Sequence, residues 1–529
     1  MLNKDDIIKL LEARFSNDIH TKLSLLPSPK ELKDTYKAAN RIKKAIDNKE
    51  KIAVIGDYDV DGVVSCAILD EFFEDVGVNA LIKIPNRFKD GYGLNEALID
   101  EFGDINLIIT VDNGINANEA ALVCEQKGID LIITDHHMPT ANLPKAHAIV
   151  NPKQDDCPFP NVDICGAQVA WYVVAALKDV CGLKDYDLSK FLDLLALAII
   201  ADMMELRDLN RAMVRAGLKR INLLKRPCFR AIKDYYGKDQ FEFDDISFLI
   251  APLINSAGRM DDAIVSFNFL RAKNTKIADE FFDIIIGYNN SRKAQEKMLF
   301  DKTIKEIDEN DSVIVTWGEE WHEGVIGIVA SRLSKHFKRP AIVFSVNGCM
   351  AKGSARSIGR FDILSLIAMQ EDILTSFGGH KGAAGLMIDT NKLEDFKTAI
   401  NNSFHNQSAN FTAPNNEILG EISPEIVDLD LIKILEDFEP YGQKNPRPVF
   451  EIKDIKVLQT KNIGNTNAHL KLNLQKNDIN FEAVFFNYDH CPKIGEVVNL
   501  FVSVSKNSFR GEALAQLSVK EICYKENYE

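Results

Sequence analysis

Three short apolar runs near the start of the chain each end in acidic or imidazole side chains. The run IAVIG leads into DYDVDG at Asp57–Gly62, the run LIITV ends at Asp112, and the run LIIT leads into Asp135-His136-His137. Segments of helical length separate these runs, and the alternation predicts a doubly wound, largely parallel α/β sheet. Because ligands bind at the carboxyl ends of the strands in such sheets, the pattern predicts one functional site assembled from all three runs.

The side chains at these strand ends are of the kinds that bind divalent cations. Like-charged carboxylates a few ångströms apart in a cleft raise one another's pKa values, and divalent cations usually compensate their charge. Asp202, at the end of the apolar run before MMEL, is a further candidate ligand. We therefore predict a metal-dependent hydrolase that acts on a phosphate ester.

The arrangement of the acids suggests two cations rather than one. Two metals about 3.5–4 Å apart would share one carboxylate and activate a hydroxide between them. Asp112 stands alone at its strand end and is the natural bridging candidate. Of the two adjacent imidazoles, one would ligate a metal while the other contacts the phosphate, and Asp135 would orient a ring by a hydrogen bond.

Other motifs with acids or histidines fit the chain less well. An EF-hand loop counted from Asp57 would have Glu at its twelfth position, where the chain has Ile68, and helices on both sides. A haloacid-dehalogenase-type phosphatase also begins with a strand and DxD, but it does not need the later Asp-His-His. Trp321-His322-Glu323 lacks the second histidine of HExxH, which excludes a zincin.

Composition indicates a soluble, cytoplasmic, globular protein. The 529 residues are enough for roughly three or four domains. Nine cysteines without a CxxC pair predict reduced thiols, and neither a signal-peptide core nor a membrane-spanning stretch is apparent. The net charge of −15 argues mildly against a nucleic-acid partner, but a carboxylate-rich metal site contributes to it and a basic groove can be local.

Changes of pattern along the chain predict four segments. Residues 1–275 combine N-terminal helices with the parallel-sheet unit, and residues 276–310 form a long connecting helix rich in Lys and Glu. A smaller α/β unit follows at 311–412 and ends in an Asn-rich linker. Short alternating runs over 415–529 predict a small all-β barrel such as an OB-fold.

Basic and small polar residues in Gly-rich loops form a second group of candidates. Arginine offers two parallel donors to a phosphate, and small residues let the backbone approach an anion. Helix caps, ordinary turns and solvated loops are the competing interpretations. The candidate phosphate-binding residues are Arg87, Asn255, Arg259, Ser354, Arg356 and His380. Candidates for contacts between the barrel and single strands, with core packing as the alternative for the phenylalanines, are Phe485, Phe486, Lys506, Phe509 and Arg510.

A series of motifs, in order along nearly the whole chain, matches one known family. They are GDYDVDG, PNRFKDGYGL, TVDNGI, TDHH, IADMMEL, APLINSAGRM, WHEGVIGIVASRL, GSARS, FGGHKGAAG and EPYGQKNPRPVF. With these motifs the chain resembles the RecJ exonuclease family of the DHH phosphoesterase superfamily. The resemblance implies a DHH domain, a smaller DHH-associated domain and an OB-fold around a narrow cleft. It also implies stepwise 5′→3′ removal of nucleotides from single-stranded DNA, with two Mn²⁺ or Mg²⁺ ions, in recombination and repair.

The resemblance also assigns roles to individual residues. The implied metal ligands are Asp57, Asp59, Asp61, Asp112, His136 and Asp202. The implied catalytic residues are Asp112, Asp135, His136 and His137, the last of them beside the reacting phosphate. The residues that would hold DNA phosphates, some of them at the 5′ end, are Arg87, Arg259, Ser354, Arg356 and His380. Two departures from the family, INSAGRM for NAAGRM and Lys444 for glycine, touch none of the ligands.

Partners and alternative functions follow from the same comparison. The resemblance implies single-stranded DNA as the substrate and suggests single-strand-binding protein and a RecQ-type helicase as partners; we expect a monomer without membrane association. A small-substrate DHH enzyme acting on oligoribonucleotides, cyclic dinucleotides or pyrophosphate would lack the barrel and the connecting helix. A non-catalytic scaffold, such as the RecJ-derived subunit of the eukaryotic replicative helicase, would have lost ligand residues, whereas every expected acid and both histidines are present.

Overall fold

The structure is a computed structural model that describes residues 1–308, 310–407, 418–464, 468–488, 490–509 and 512–524. Arg510 and the predicted junction at 412–415 lie outside the described residues. The chain forms two compact units. The larger unit comprises residues 28–202 and 219–415, and the smaller unit comprises residues 1–27, 203–218 and 416–529.

Both units contain α-helices. In chain order, the α-helices of the described residues are α1 (Lys4–Arg14), α2 (Thr35–Asp47), α3 (Val60–Asp75), α4 (Glu96–Glu101), α5 (Asn118–Gln126), α6 (Gly166–Val180), α7 (Leu192–Ala201), α8 (Asp208–Ile221), α9 (Pro227–Tyr236), α10 (Phe243–Asp245), α11 (Ala251–Met260), α12 (Ile264–Leu270), α13 (Thr275–Thr303), α14 (Glu323–Phe337), α15 (Ile363–Ala368), α16 (Leu393–Gln407) and α17 (Leu429–Asp437). Among them, none is both long and apolar enough to cross a membrane.

Five parallel strands confirm the prediction of a doubly wound sheet. They are β1 (Ile52–Ile55), β2 (Leu81–Lys83), β3 (Leu107–Val111), β4 (Asp130–Thr134) and β5 (Ala148–Val150), in the order β2-β1-β3-β4-β5. Helices α4 and α5 share a core with the strands through residues such as Ile99, Ala121 and Ile108. The strand order reverses between β1 and β3, so the loops after these strands diverge and leave a crevice at the carboxyl edge.

The predicted connecting helix is present as α13 and leads to a second, mixed sheet. Its strands are β6 (Ile314–Glu319), β7 (Ala341–Asn347), β8 (Met350–Arg356), β9 (Ser376–His380) and β10 (Ala383–Asp389), in the order β6-β7-β8-β10-β9. Strands β6 and β7 are parallel, and the remaining pairs are antiparallel. Helix α14 packs on one face through Val325 and Val329, and α15 and α16 pack on the other through Leu366 and Phe396.

The smaller unit contains the predicted C-terminal barrel. Its strands are β11 (Ile418–Glu421), β12 (Val449–Ile463), β13 (His469–Lys476), β14 (Ile479–Phe486), β15 (Val497–Phe509) and β16 (Glu512–Tyr524), in the order β11-β12-β13-β14-β16-β15. Pairing of β12 with β15 closes the sheet. Phe485 is buried in the barrel, whereas Phe486 is exposed beside His469.

Helix α1 packs with the barrel, where Ile7 and Leu11 join its core. The sequence had grouped this helix with the parallel-sheet unit. The predicted domain boundaries stay a prediction.

Candidate active site

The loop after β1 places three carboxylates at the start of α3. Asp59 caps this helix, since its Oδ1 accepts a hydrogen bond from the Gly62 N–H at 3.1 Å. Asp61 lies in the first turn of α3 and accepts hydrogen bonds from the N–H groups of Gly166 and Ala167, at 2.5 and 2.9 Å. The start of α6 therefore fixes the Asp61 carboxylate by the donors that a helix N-terminus leaves free.

Asp112 follows β3 in a left-handed backbone conformation, with φ of 61°. A Cβ at Gly166 would lie 2.6 Å from the Asp112 side chain, so only glycine admits this close approach. The Oδ1 atom of Asp112 is buried and has no hydrogen-bond partner among the described residues. A buried acceptor without a donor is costly, and a bound cation would satisfy it.

His136 lies at the centre of the remaining ligands. Its Nε2 is 3.1 Å from Oδ1 of Asp112, 3.5 Å from Oδ2 of Asp202 and 3.7 Å from Oδ2 of Asp61. Asp202 reaches this position from the C-terminal end of α7. The structure therefore brings side chains from four separate segments to one point.

The possible ligand atoms fall into overlapping groups. Within each group they lie within 4.8 Å of one another, and the groups are Asp57, Asp59 and Asp112; Asp61, His136 and Asp202; and Asp112, His136 and His137. Asp112 and His136 each belong to two groups, and Asp112 is the carboxylate of the two, as expected of the acid shared by two cations. The donor set of five acids and one neutral imidazole fits hard divalent cations.

Burial and mutual repulsion dominate the electrostatics of the cluster. Burial, and then the neighbouring carboxylates, raise the pKa values of Asp57 and Asp112 well above the ordinary range. Asp202 is affected in the same way, and its pKa is raised to about 9. Burial lowers the pKa of His136 to about 4, so its imidazole is neutral and able to ligate a metal.

Asp135 has a different environment from the other acids. Its Oδ1 accepts hydrogen bonds from the His136 and His137 N–H groups, at 2.7 and 3.1 Å, and lies 2.7 Å from Nδ1 of His137. Its Oδ2 accepts from the Ile115 N–H at 2.9 Å. Burial would raise the pKa of Asp135, but the bond to His137 and the other donors outweigh it and lower the pKa. The same bond outweighs the effect of burial on His137 and raises its pKa to about 9. This is the geometry of an orienting residue rather than a metal ligand.

Three arginines form a second cluster, which we call the arginine pocket: Arg87, Arg259 and Arg356. Burial lowers the pKa of Arg259 to about 10, and repulsion from Arg87 and Arg356 adds to the effect. In the described part of the chain, no ion pair joins any of the three to a carboxylate. All three side chains are partly exposed, and a cluster of guanidinium groups without carboxylate partners suits an anionic ligand.

Close backbone packing supports the arginine pocket. Arg87 stacks on Tyr58, 4.1 Å from the ring centroid, and Arg356 donates to the Ser354 hydroxyl at 3.0 Å. A Cβ at Gly327 of α14 would lie 2.9 Å from both Ser354 Oγ and Arg356 Nη2. The lack of a side chain at Gly327 thus leaves space for Arg356. The arginine pocket combines residues from the parallel-sheet part and the mixed-sheet part of the larger unit.

The other two phosphate candidates lie apart from this contact network. Ala383 of β10 pairs with Arg356 on one side and His380 on the other, so both residues occupy the same face, two strands or roughly 10 Å apart. His380 is exposed there. Asn255 uses its Oδ1 to accept a hydrogen bond from the Val60 N–H at 3.1 Å, which holds the metal-site loop. Phosphate contacts by Asn255 and His380 stay predictions.

Sequence reasoning missed three residues that shape the site. Tyr58 lies inside DYDVDG but was not singled out, although an aromatic between two acids is a visible signal. Arg292 of α13 is buried, pairs with Glu296 at 3.0 Å and adds to the positive charge around Arg259. Gly166 gives no local signal, because its importance arises only from the approach of Asp112.

Comparisons with known families agree with this geometry. Residues 51–199 match the DHH family, N-terminal domain, residues 310–406 match the DHHA1 domain, and residues 418–521 match the RecJ OB domain. The first match includes the loops after β1, β3 and β4, and the second includes β6–β10.

Curated relatives and solved structures carry the same family name. The chain is 32% identical over 522 residues to the single-stranded-DNA-specific exonuclease RecJ of Bacillus subtilis, covering 96% of this chain and 66% of that protein. It is 32% identical over 509 residues to the protein of the same name from Salmonella typhimurium, covering 89% of this chain and 87% of the relative. Crystal structures of RecJ from Thermus thermophilus with Mn²⁺ and with Mg²⁺ match at TM-scores of 0.84 and 0.77. Their sequence identities are 26% and 25%, and they cover 98% of this chain and 77% and 76% of those chains. This chain belongs to the RecJ family of single-stranded-DNA-specific exonucleases.

Proposed function

We propose that this chain removes nucleotides from the 5′ end of single-stranded DNA by hydrolysis, using two divalent cations, Mn²⁺ or Mg²⁺. The observation that carries the proposal is the juxtaposition of a largely buried carboxylate cluster and partly buried arginines. Carboxylates with unpaired acceptor atoms converge at the sheet edge, and their charges act on arginines that have no carboxylate partner in the described part of the chain. A phosphodiester with cations on one side and guanidinium groups on the other satisfies both sets.

The metal ligands divide into two sets, and Asp112 is the carboxylate that would be shared between them, because it also lies in a group with His136. Asp57, Asp59 and Asp112 would hold one cation, and Asp61, His136 and Asp202 would hold the other. When bound, the cations would supply positive charge to the phosphate and lower the pKa of a coordinated water. The hydrogen bonds that fix Asp59 and Asp61 to helix N-termini keep these carboxylates in place without a cation.

His137 and the arginine pocket would act on the phosphates directly. The raised pKa of His137, about 9, keeps its ring protonated at neutral pH, and Asp135 occupies Nδ1. The Nε2–H of His137 is therefore available as a donor to the reacting phosphate. We propose that Arg87, Arg259 and Arg356 bind the terminal 5′-phosphate. The proposed polarity itself is inferred from the family relationship.

The biological setting is proposed from the family relationship. We propose that the protein acts in the cytoplasm, as a monomer, in DNA recombination and repair. Single-strand-binding protein and a RecQ-type helicase are the proposed partners, and the barrel would bind the strand outside the active site.

Strands labelled at either end test the reaction. With Mn²⁺ or Mg²⁺ restored after chelation, a 5′ label should be released as a mononucleotide and a 3′ label should remain on shortening strands. Asp112→Asn should lower the rate by more than about 100-fold, since even outer partners of metal ligands contribute 10–100-fold. Asp104→Asn, an exposed acid paired with Lys51, is the control and should leave the rate unchanged.

The two alternative functions give different results in the same assay. A small-substrate enzyme would hydrolyse dinucleotides and ignore long strands. A scaffold would bind single strands without hydrolysing them in Mn²⁺ or Mg²⁺. Activity that survived chelation, or that the folded Asp112→Asn variant retained, would contradict the proposed metal mechanism.

A further inference from the structure

A cavity of about 340 Å³ adjoins His137, and apart from Asp135 and His137 none of its lining residues has a role in the function described so far. Its walls come from the loops after β2, β3 and β4. The lining residues are Tyr92, Gly93, Leu94, Gly114, Ile115, Asn116, Ala117, Asp135 and His137. We call it the loop cavity.

The loop cavity is held in shape by hydrogen bonds and by close backbone packing. Asn113 donates to the carbonyl oxygens of Ile55 and Val111, at 3.0 and 2.9 Å, and accepts from the Leu94 N–H at 3.3 Å. Gly114 has a φ of 107°, and a Cβ there would lie 2.6 Å from the Thr110 hydroxyl oxygen. The loops after β2 and β3 are therefore fixed to each other before any ligand arrives.

The chemistry of the walls differs from that of the arginine pocket. Leu94 and Ile115 are buried aliphatic side chains, and Tyr92 adds a half-exposed aromatic ring. Asp135 has already committed its oxygens to hydrogen bonds. An apolar slot with an aromatic wall and few free polar groups suits a flat ring, not a phosphate.

A chain of contacts joins the loop cavity to the arginine pocket. Tyr92 meets Tyr58 edge to face with ring centroids 6.1 Å apart, and Arg87 stacks on the Tyr58 ring, 4.1 Å from its centroid. His137, which also lines the cavity, belongs to one of the groups of possible metal ligands. The cavity thus adjoins the metal-ligand cluster at His137 and is linked through Tyr92 and Tyr58 to Arg87 of the arginine pocket.

We propose that the loop cavity is a nucleobase subsite that receives the base of the terminal nucleotide during its removal. The inference rests on the proposed nuclease function and specifies how that function selects its substrate. A volume near the lower end of the roughly 300–1,000 Å³ typical of small-molecule sites suits one nucleoside rather than a stack of bases. Stacking on an aromatic wall tolerates every base, so the subsite would detect the presence of a base rather than its identity.

Binding can be measured without cleavage by a fluorescent base. A 5′-phosphorylated single strand with 2-aminopurine at its first position is mixed with the protein in EDTA, and a second label at the 3′ end reports total binding by anisotropy. The terminal 2-aminopurine should be quenched on binding, whereas 2-aminopurine at the second position should be quenched less. Quenching confined to the second position would overturn the assignment to the terminal base.

Substitutions test whether the quenching arises in the loop cavity. Ala117 lines the cavity just before α5, so Ala117→Phe should fill it and abolish the quenching while the 3′ label still reports binding. Leu122→Phe is the matched control, because Leu122 lies on the same helix and is half exposed outside the cavity. Tyr92→Leu removes the aromatic wall at a half-exposed position and provides a second variant should Ala117→Phe fail to fold. Quenching that persisted in both cavity variants would overturn the inference.

Cleavage separates failure of the inference from failure of the proposed function. With Mn²⁺, the wild-type chain should release a terminal adenine nucleotide with about tenfold higher kcat/KM than a terminal abasic nucleotide, the order of one stacking contact. In Ala117→Phe or Tyr92→Leu this ratio should fall toward one. A wild type that degrades neither strand contradicts the proposed function. A wild type that degrades both strands equally well overturns only the nucleobase subsite.

Discussion

At the scale of single residues, two aspartates at the ends of neighbouring strands have different roles. Asp135 accepts four hydrogen bonds and has a lowered pKa, whereas Asp112 retains a buried oxygen without a described hydrogen-bond partner and has a raised pKa. The number of donors within reach therefore separates the residue that orients His137 from the residue suited to a cation.

The raised pKa of Asp202 predicts how stability responds to pH and to cations. The ordinary pKa of an aspartate carboxyl is 3.8, and the pKa of Asp202 in the fold is about 9. The stabilisation that comes from the protonated Asp202 carboxyl is therefore fully present below pH 3.8 and is lost as the pH rises through about 9. Because Mg²⁺ binds the ionised carboxylate, Mg²⁺ should raise the Tm more at pH 9 than at pH 6. Thermal unfolding in EDTA and in Mg²⁺ at both pH values measures this.

The control for this prediction removes the titrating group. Asp202→Asn should flatten the pH dependence of the Tm in EDTA and reduce the shift caused by Mg²⁺. Equal Mg²⁺ shifts at pH 6 and pH 9 in the wild type would show that proton release is not coupled to cation binding.

At the scale of elements, the start of α6 supports the metal cluster in two ways. Its backbone N–H groups hold the Asp61 carboxylate, and the absence of a side chain at Gly166 leaves space for Asp112. One helix terminus thus positions ligands from the loops after both β1 and β3. The site depends on how this helix docks against the sheet as much as on the ligands themselves.

Gly166→Ala tests this dependence. The added Cβ would lie 2.6 Å from Asp112, so either the helix or the carboxylate must move. We expect a loss of about 1–3 kcal/mol in the free energy of unfolding, as for overpacking in a core, and weaker Mn²⁺ binding by calorimetry.

Gly287→Ala is the matched control for this substitution. Gly287 lies inside α13, and a Cβ added there would have no neighbouring atom within 4 Å. Alanine should therefore stabilise the fold by about 0.4–1 kcal/mol and leave Mn²⁺ binding unchanged. Unchanged Mn²⁺ affinity in Gly166→Ala would show that α6 does not position the ligands.

At the scale of the whole molecule, overall charge and local charge have opposite signs. The chain carries a net charge of −15, yet the arginine pocket presents partly buried cations without described carboxylate partners. Net charge describes the average surface, whereas binding of a polyanion depends on the cations within a Debye length of its phosphates. The positive charge of the arginine pocket therefore outweighs the mild argument from net charge against a nucleic-acid partner.

Arg356→Met tests the contribution of the arginine pocket to DNA binding. Affinity for single strands should fall with salt, and losing one phosphate contact should reduce the slope of log K against log salt by about 0.7. The variant should also be more stable by about 1 kcal/mol, since it removes a buried charge that Arg87 repels.

The control is Lys127→Met, an exposed lysine paired with Asp100, which should leave the slope unchanged. Titrations of a labelled single strand at several salt concentrations give the slopes, and thermal unfolding gives the stabilities. An unchanged slope in Arg356→Met would place Arg356 outside the DNA contacts.

The sequence alone determined the features that are local along the chain. The alternation of apolar runs with helical segments predicted the parallel sheet. This is possible because the spacing of apolar residues, every 2 residues in a strand and every 3.6 in a helix, can be seen within a short stretch of sequence. The acids at the strand ends pointed to a shared edge for the same reason, since every parallel strand ends on the same side. The family motifs then implied which of these acids would be ligands.

Only the tertiary structure decided which atoms meet. It left Asp112 without a described donor while surrounding Asp135 with donors, made Gly166 essential to the approach of Asp112, and brought Arg87, Arg259 and Arg356 together. It also packed α1 against the barrel formed by the other end of the chain, with Ile7 and Leu11 in the shared core. These outcomes depend on packing between segments that are distant in the chain, and no local pattern of residues encodes a distance across a core.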